Sequence, residues 1–80
     1  MMDTVGNFVV MSHATGSGDP QLWTGLWAVH RRLPASRDGH LEMELVEEGE
    51  TQPSFDDMWA ACDAGRAAGI ARAKELAAAS

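Results

Sequence analysis

The chain has one cysteine (Cys62) and one lysine (Lys74) in 80 residues. A lone cysteine excludes an internal disulfide and any zinc site built on several thiolates. No segment approaches the roughly 18 consecutive apolar residues of a membrane span. The N-terminus lacks a basic region followed by a long apolar core, so no secretory signal is read and a cytoplasmic location is expected. Bases are few: six Lys and Arg stand against twelve Asp and Glu, for a net charge of −6. That balance argues against non-specific attachment to nucleic acid or anionic lipid. Scarce lysine beside abundant alanine, glycine and arginine suggests a GC-rich bacterial genome. Internal repeats and a compositional break are also missing, so residues 1–80 are read as a single domain. A domain this small is marginally stable alone. With disulfides and Cys-rich metal sites excluded, oligomerisation is the remaining support, and a homodimer is the simplest form of it.

What is present reads as strands followed by a helix. Val5 to Met11 is a short apolar, β-branched run and is expected to be a strand. Ser12 to Gln21, rich in Gly, Ser, Asp and Pro, is expected to be a flexible loop. Leu22 to Arg31 contains Trp23, Trp27 and Val29 and reads as a second strand. Asp38-Gly39 signals a hairpin. His40 to Glu47 alternates, with Leu41, Met43 and Leu45 apart from Glu42 and Glu44, as a half-buried strand does. After Pro53, Ser54 and Asp57 form a carboxylate variant of the capping box. Apolar residues then recur near a 3.6 period at Phe55, Met58, Trp59, Cys62, Ile70, Ala73 and Leu76. Acids (Asp56, Asp57, Asp63) precede bases (Arg66, Arg72, Lys74), matching the helix dipole. The predicted fold is α+β: a three-stranded antiparallel meander (strands 5–11, 22–31, 40–47) with one C-terminal helix, 55–76, packed on one face. At about 33 Å the helix should overhang the sheet.

One face of such a sheet stays uncovered. Phe8, Val10, Trp27, Val29, Leu41, Met43 and Leu45 are placed under the helix. Val9, Met11, Leu26 and Ala28 are left on the back beside Glu42 and Glu44. A bare apolar sheet face meets another surface, through face-to-face sheets or through edge pairing.

Sites with chemistry are sparse. His30 and His40 flank the hairpin and, with Glu42 or Glu44, sketch a weak zinc or nickel site. No H-x-x-x-H or E-x-x-H spacing supports it, and partly exposed histidines near a turn are the preferred reading. Cys62 lies on the apolar stripe, where free cysteine packs as a small hydrophobe. Gly16-Ser17-Gly18 lacks the Lys and helix start of a phosphate loop and is followed by Asp19. Stacking of nucleobases on Trp23, Trp27 and Trp59 would need a basic groove. Arg31, Arg32 and Arg37 are too few, so Trp27 and Trp59 are assigned to the core and Trp23 to a partly exposed contact. Gly65-x-x-x-Gly69 gives the helix a flat strip, read as close seating on its own sheet rather than helix–helix contact. From Asp38 to Asp63 there are nine acids and no Lys or Arg. This strip solubilises the chain, or attracts a basic partner, or imitates nucleic-acid phosphates.

The run S-F-D-D-M-W-A-A-C-D-A-G-R-A-A behind Trp-containing strands resembles small uncharacterised bacterial β-β-β-α proteins. In outline, from about residue 5 to 76, it also resembles the core of double-stranded RNA-binding domains, whose last helix is Ala-rich. Those domains hold phosphates with lysines at that helix start. Here Asp56 and Asp57 stand there, and carboxylates repel phosphate. No nucleophile, base and oxyanion-donor set is visible. The expectation is a non-catalytic protein–protein interaction or regulatory module without cofactor. Its contacts are expected at Val9, Met11, Trp23 and Leu26, with acids Glu42, Glu44, Glu47 and Glu48. A nucleic-acid-related role and a metal-binding role are the alternatives.

Overall fold

The structure is a computed structural model and describes residues 1–34, 42–52 and 55–79. The hairpin signal at Asp38-Gly39, the Pro53-Ser54 part of the cap, and Arg37, His40 and Leu41 lie outside the described residues.

An antiparallel sheet carries one C-terminal helix, as expected, but the sheet has four strands rather than three. They are β1 (Met2–Val5), β2 (Phe8–Ser17), β3 (Leu22–Arg32) and β4 (Met43–Glu50), in chain order across the sheet. The run expected as one strand from Val5 to Met11 is folded back on itself at Gly6-Asn7. Val5 pairs with Phe8 across a two-residue turn, and of the two turn residues Gly6 takes a positive φ (57°) while Asn7 does not. Glycine at the first central position is what a II′ hairpin turn requires. Met2 to Val5 thereby becomes an edge strand on β2.

The stretch expected as a loop, from Ser12 onward, instead prolongs β2 to Ser17, and only Gly18 to Gln21 joins it to β3. Small polar residues have little strand preference of their own, so the partner strand decides their state. Trp23 opposes Gly16 in register, and a Cβ at Gly16 would meet the Trp23 ring. Trp27 opposes Gly49 on the other flank, again with its ring over the glycine. Two aromatic rings thus cover two cross-strand glycines.

β4 is displaced from the expected 40–47, and its faces are exchanged. Val29 pairs with Glu47 and His30 with Leu45, which leaves Val46 as a bulge. Glu47 therefore shares the helix side with Val29, while Met43 and Leu45 share the other side with Arg32 and His30. Alternation shows that a strand has an apolar and a polar side; it does not say which side the rest of the chain covers.

The helix α1 runs Met58–Ala79, starting three residues later than expected and continuing past Leu76. Phe55 is outside it and forms a bridge to Trp23, donating its N–H to the Trp23 carbonyl and accepting from the Trp23 N–H. Asp57 Oδ1 accepts from the Trp59 N–H at 3.3 Å, so Asp57 caps the first turn. Thr51 brings the connecting segment onto β3 at Gly25: its N–H donates to the Gly25 carbonyl, and its Oγ1 accepts from the Gly25 N–H.

The helix lies over β2 and β3. Its buried residues are small: Ala61, Cys62, Gly65, Gly69 and Ala73. A Cβ on Gly65 would stand 3.0 Å from the Leu26 backbone, and one on Gly25 would collide with the Ala61 carbonyl. The G-x-x-x-G strip therefore seats the helix on its own sheet at backbone contact. The core is Phe8, Val10, Val29 and Ala73, with Val5, Trp27, Val46, Ile70, Leu76 and Ala77 packed around it. Trp59 was expected in this core; it is 65% exposed, as a side chain on the outer flank of the first helical turn.

Candidate interaction surface

On the side of the sheet away from α1, strand alternation sets out Met2, Val9, Met11, Leu26, Ala28, Met43 and Leu45. The register brings them together: Met2 opposes Met11, Met11 opposes Ala28, and Leu45 opposes His30 beside Val9. No other described element covers this face. Met2 is 67% exposed, Leu45 50% and Met43 37%, while Met11, Leu26 and Ala28 are half-buried by their neighbours. Val9 is different. It is 3% exposed, held between its register partners Thr4 and His30, so it forms floor rather than contact surface.

Polar residues frame this apolar centre. A shallow groove of about 530 Å³ runs over Leu26 and Ala28, with His13 on its β2 side and Glu48 and Glu50 on its β4 side. This groove lies over the middle of β3; at the C-terminal end of that strand, Arg32 stands exposed on the same face. The face therefore has an acidic end and a basic end, separated by aliphatic side chains. His30, between them, keeps Nδ1 buried without a hydrogen-bond partner among the described residues.

The other expected site residues fall elsewhere. Trp23 has the parity of Trp27, so it lies on the helix side, half-buried over Gly16. Glu44, expected on the back beside Val9 and Met11, pairs with Arg31 on the helix side, with 4.0 Å between the charged atoms. Arg31 in turn lies over the Phe8 ring. Glu47 accepts from Arg72 Nε, and the same guanidinium reaches Glu75 at 2.8 Å. Glu42 precedes β4, and its carbonyl accepts from the Leu33 N–H. Of the acids expected at the site, Glu48 lies on the open face. The face also recruits His13, Glu50, Arg32, Met2, Met43 and Leu45. Met2 precedes the first strand expected from the sequence and His13 lies in the segment expected as a loop; Met43 and Leu45 were hidden by the reversed parity of β4.

On the helix side, two arginines of α1 are engaged with carboxylates of the same chain. Arg66 donates to both carboxylate oxygens of Asp3, each at 2.8 Å. The Arg66 hydrogen bonds, more than its charge alone, hold the Asp3 carboxyl below its ordinary pKa, and Asp3 raises that of Arg66. Glu47 and then Glu75, by hydrogen bonding, raise that of Arg72. These forks moor α1 to the two edge strands.

Arg31 and Arg32, adjacent in an extended strand, point to opposite sides and form no basic cluster. Among the described residues no group of three or more His, Cys, Asp or Glu is arranged to hold a metal ion, and no helix is long and apolar enough to cross a membrane. Cys62 is buried on the sheet-facing side of α1. Comparison with known protein families, with curated proteins and with solved structures finds no match for this chain.

Proposed function

We propose that this chain is a protein–protein interaction or regulatory module of the bacterial cytoplasm, without catalytic activity, that works by presenting the open face of its sheet. The observation that carries this reading is the collection of Met2, Met11, Leu26, Ala28, Met43 and Leu45 on a face that no described element covers, inside a frame of His13, Arg32, Glu48 and Glu50. An apolar centre with a polar rim is the anatomy of a protein contact. Exposed apolar residues gathered on one face and rimmed by polar ones mark interaction sites, whereas single scattered ones do not.

The test is photo-crosslinking in cells. A photoreactive side chain replacing Ala28, at the centre of the open face, is compared with one replacing Lys74, which is exposed on the helix. Protein adducts at position 28 and not at 74 are expected. Equal adducts at both positions, or none at 28, would remove the reading.

A further inference from the structure

The geometry points to a second copy of this chain as the occupant of the open face. The two sheets stack face to face about a two-fold axis that crosses the strands, so that Arg32 of each protomer meets the acidic end, Glu48 and Glu50, of the other. This inference rests on the interaction reading above and names its partner.

Three observations carry it. The first is charge. Along the four-stranded part of the sheet the open face runs from Arg32, at the end of β3, through Leu45, His30, Ala28 and Met11, to Leu26 in the middle of β3, level with Glu50 at the end of β4 and next to Glu48. A two-fold axis across the strands near the level of Val29 and His30 reverses this order in the facing copy. Arg32 then stands level with the other protomer's Leu26 and Glu50. An axis along the strands would instead lay Glu48 over Met2 and leave Arg32 without an acid. Self-complementarity of one patch is what an isologous dimer requires.

The second observation is extent. The part of the open face that this axis overlaps is the four-stranded part, from the level of Leu26 to that of Arg32, seven residues or about 23 Å at 3.3 Å per residue, and four strands span about 19 Å. The projected area is about 440 Å². With side-chain relief this comes near the lower end of specific interfaces, about 600 Å² per partner. The stacking is the aligned, roughly 30° packing of two twisted sheets.

The third observation closes the competing route of edge pairing. β4, an edge strand, carries Glu44, Glu47, Glu48 and Glu50 within eight residues. Pairing two β4 edges would bring like charges together across the new ladder. The other edge, β1, has four residues, too few for a lasting ladder.

Sedimentation velocity of the full chain, over about a hundredfold range of concentration around micromolar, tests this together with two charge-reversed forms. One carries Arg32→Glu; the other carries Glu48→Arg and Glu50→Arg. The wild-type chain is expected to sediment at twice its own mass. Each reversed form alone should dissociate at least about tenfold more readily, since it opposes like charges. An equimolar mixture of the two should regain the wild-type behaviour, because every mixed pair restores both contacts. That recovery also shows that both variants are folded. A wild-type chain that stays monomeric throughout overturns the proposal, as does a mixture no tighter than its components. Photo-crosslinking at position 28 separates the two readings. Adducts containing only other proteins would sink self-pairing and leave the interaction reading standing, whereas no adduct would remove both.

Discussion

On the helix side of the sheet, Gly25, Gly65 and Gly69 make the closest approaches, and Ala61 and Ala73 fill what remains. On the other side Met2, Met11, Leu26, Met43 and Leu45 are covered by no described element. On the closed side the helix makes its closest approach through small residues, beside a core of Phe8, Val10 and Val29, whereas the open side carries large apolar residues that remain exposed. Small residues let a helix descend until backbones touch, which gives dense dispersion contact without long side chains. Such a contact tolerates little variation. An open apolar face tolerates substitution within the protomer, because no described element is shaped around it.

The sharpest way to break this comparison is to thicken the closed side. Gly25→Ala places a methyl against the Ala61 carbonyl and the Gly65 N–H. Backbone cannot rotate away as a side chain would, so α1 must lift. We expect a loss of about 3 kcal/mol, the upper part of the overpacking range. Thermal unfolding should register a drop of roughly 10–20 °C. A variant as stable as the wild type would mean that the helix is not seated at backbone contact.

Next in size is Val29→Ala. Val29 is fully buried on the helix side, and removing its methyl groups leaves a void under α1. A loss of about 2 kcal/mol is expected, or roughly 10 °C in a melt. Leu45→Ser removes a larger apolar side chain from the open face. At concentrations where protomers are separate, we expect it to change stability by no more than about 0.5 kcal/mol. If Leu45→Ser cost as much as Val29→Ala, the two faces would not differ in the way described.

The division between these faces was partly legible in the residues alone. Phe8, Val10, Trp27 and Val29 separate from Val9, Met11, Leu26 and Ala28 by the plain alternation of long strands, and the structure keeps both sets together. The choice of face for β4 was not legible. Its alternation is clean, but its orientation depends on a bulge at Val46 and on a helix that lies over β2 and β3. Arg72 reaches Glu47 there, where an apolar contact with Met43 or Leu45 was expected. The first strand was hidden for a different reason: Gly6-Asn7 sits inside an apolar run, and a four-residue strand has no signal of its own without its partner. Trp59 misled because a large apolar residue at helical spacing reads as core. The inward stripe of α1 is instead made of alanine, cysteine and glycine, which hydropathy barely distinguishes from the outward face. At the candidate surface, Met11, Leu26 and Glu48 could be found from the pattern; Met2, His13 and Leu45 needed the pairing register.

The smallest effect concerns the fork between Asp3 and Arg66, which joins the edge strand β1 to the helix and so belongs to the closed side alone. Its hydrogen bonds lower the Asp3 carboxyl below the 3.8 of an unperturbed aspartate. A group whose folded-state pKa is depressed binds fewer protons folded than unfolded. Its contribution is therefore complete above the unfolded value and fades as pH falls through the lower, folded value. Both groups are solvent-accessible, so screening keeps the contribution small. Asp3→Asn should accordingly leave chemical-denaturation midpoints at neutral pH only slightly lower, and should flatten the decline in stability below about pH 4. Added salt should narrow the difference from wild type at neutral pH. A variant whose acid limb runs parallel to the wild-type curve would show that the fork does not hold β1 against the helix in solution. The closed side would then be held by the glycine seam and the Phe8–Val10–Val29 core without electrostatic mooring.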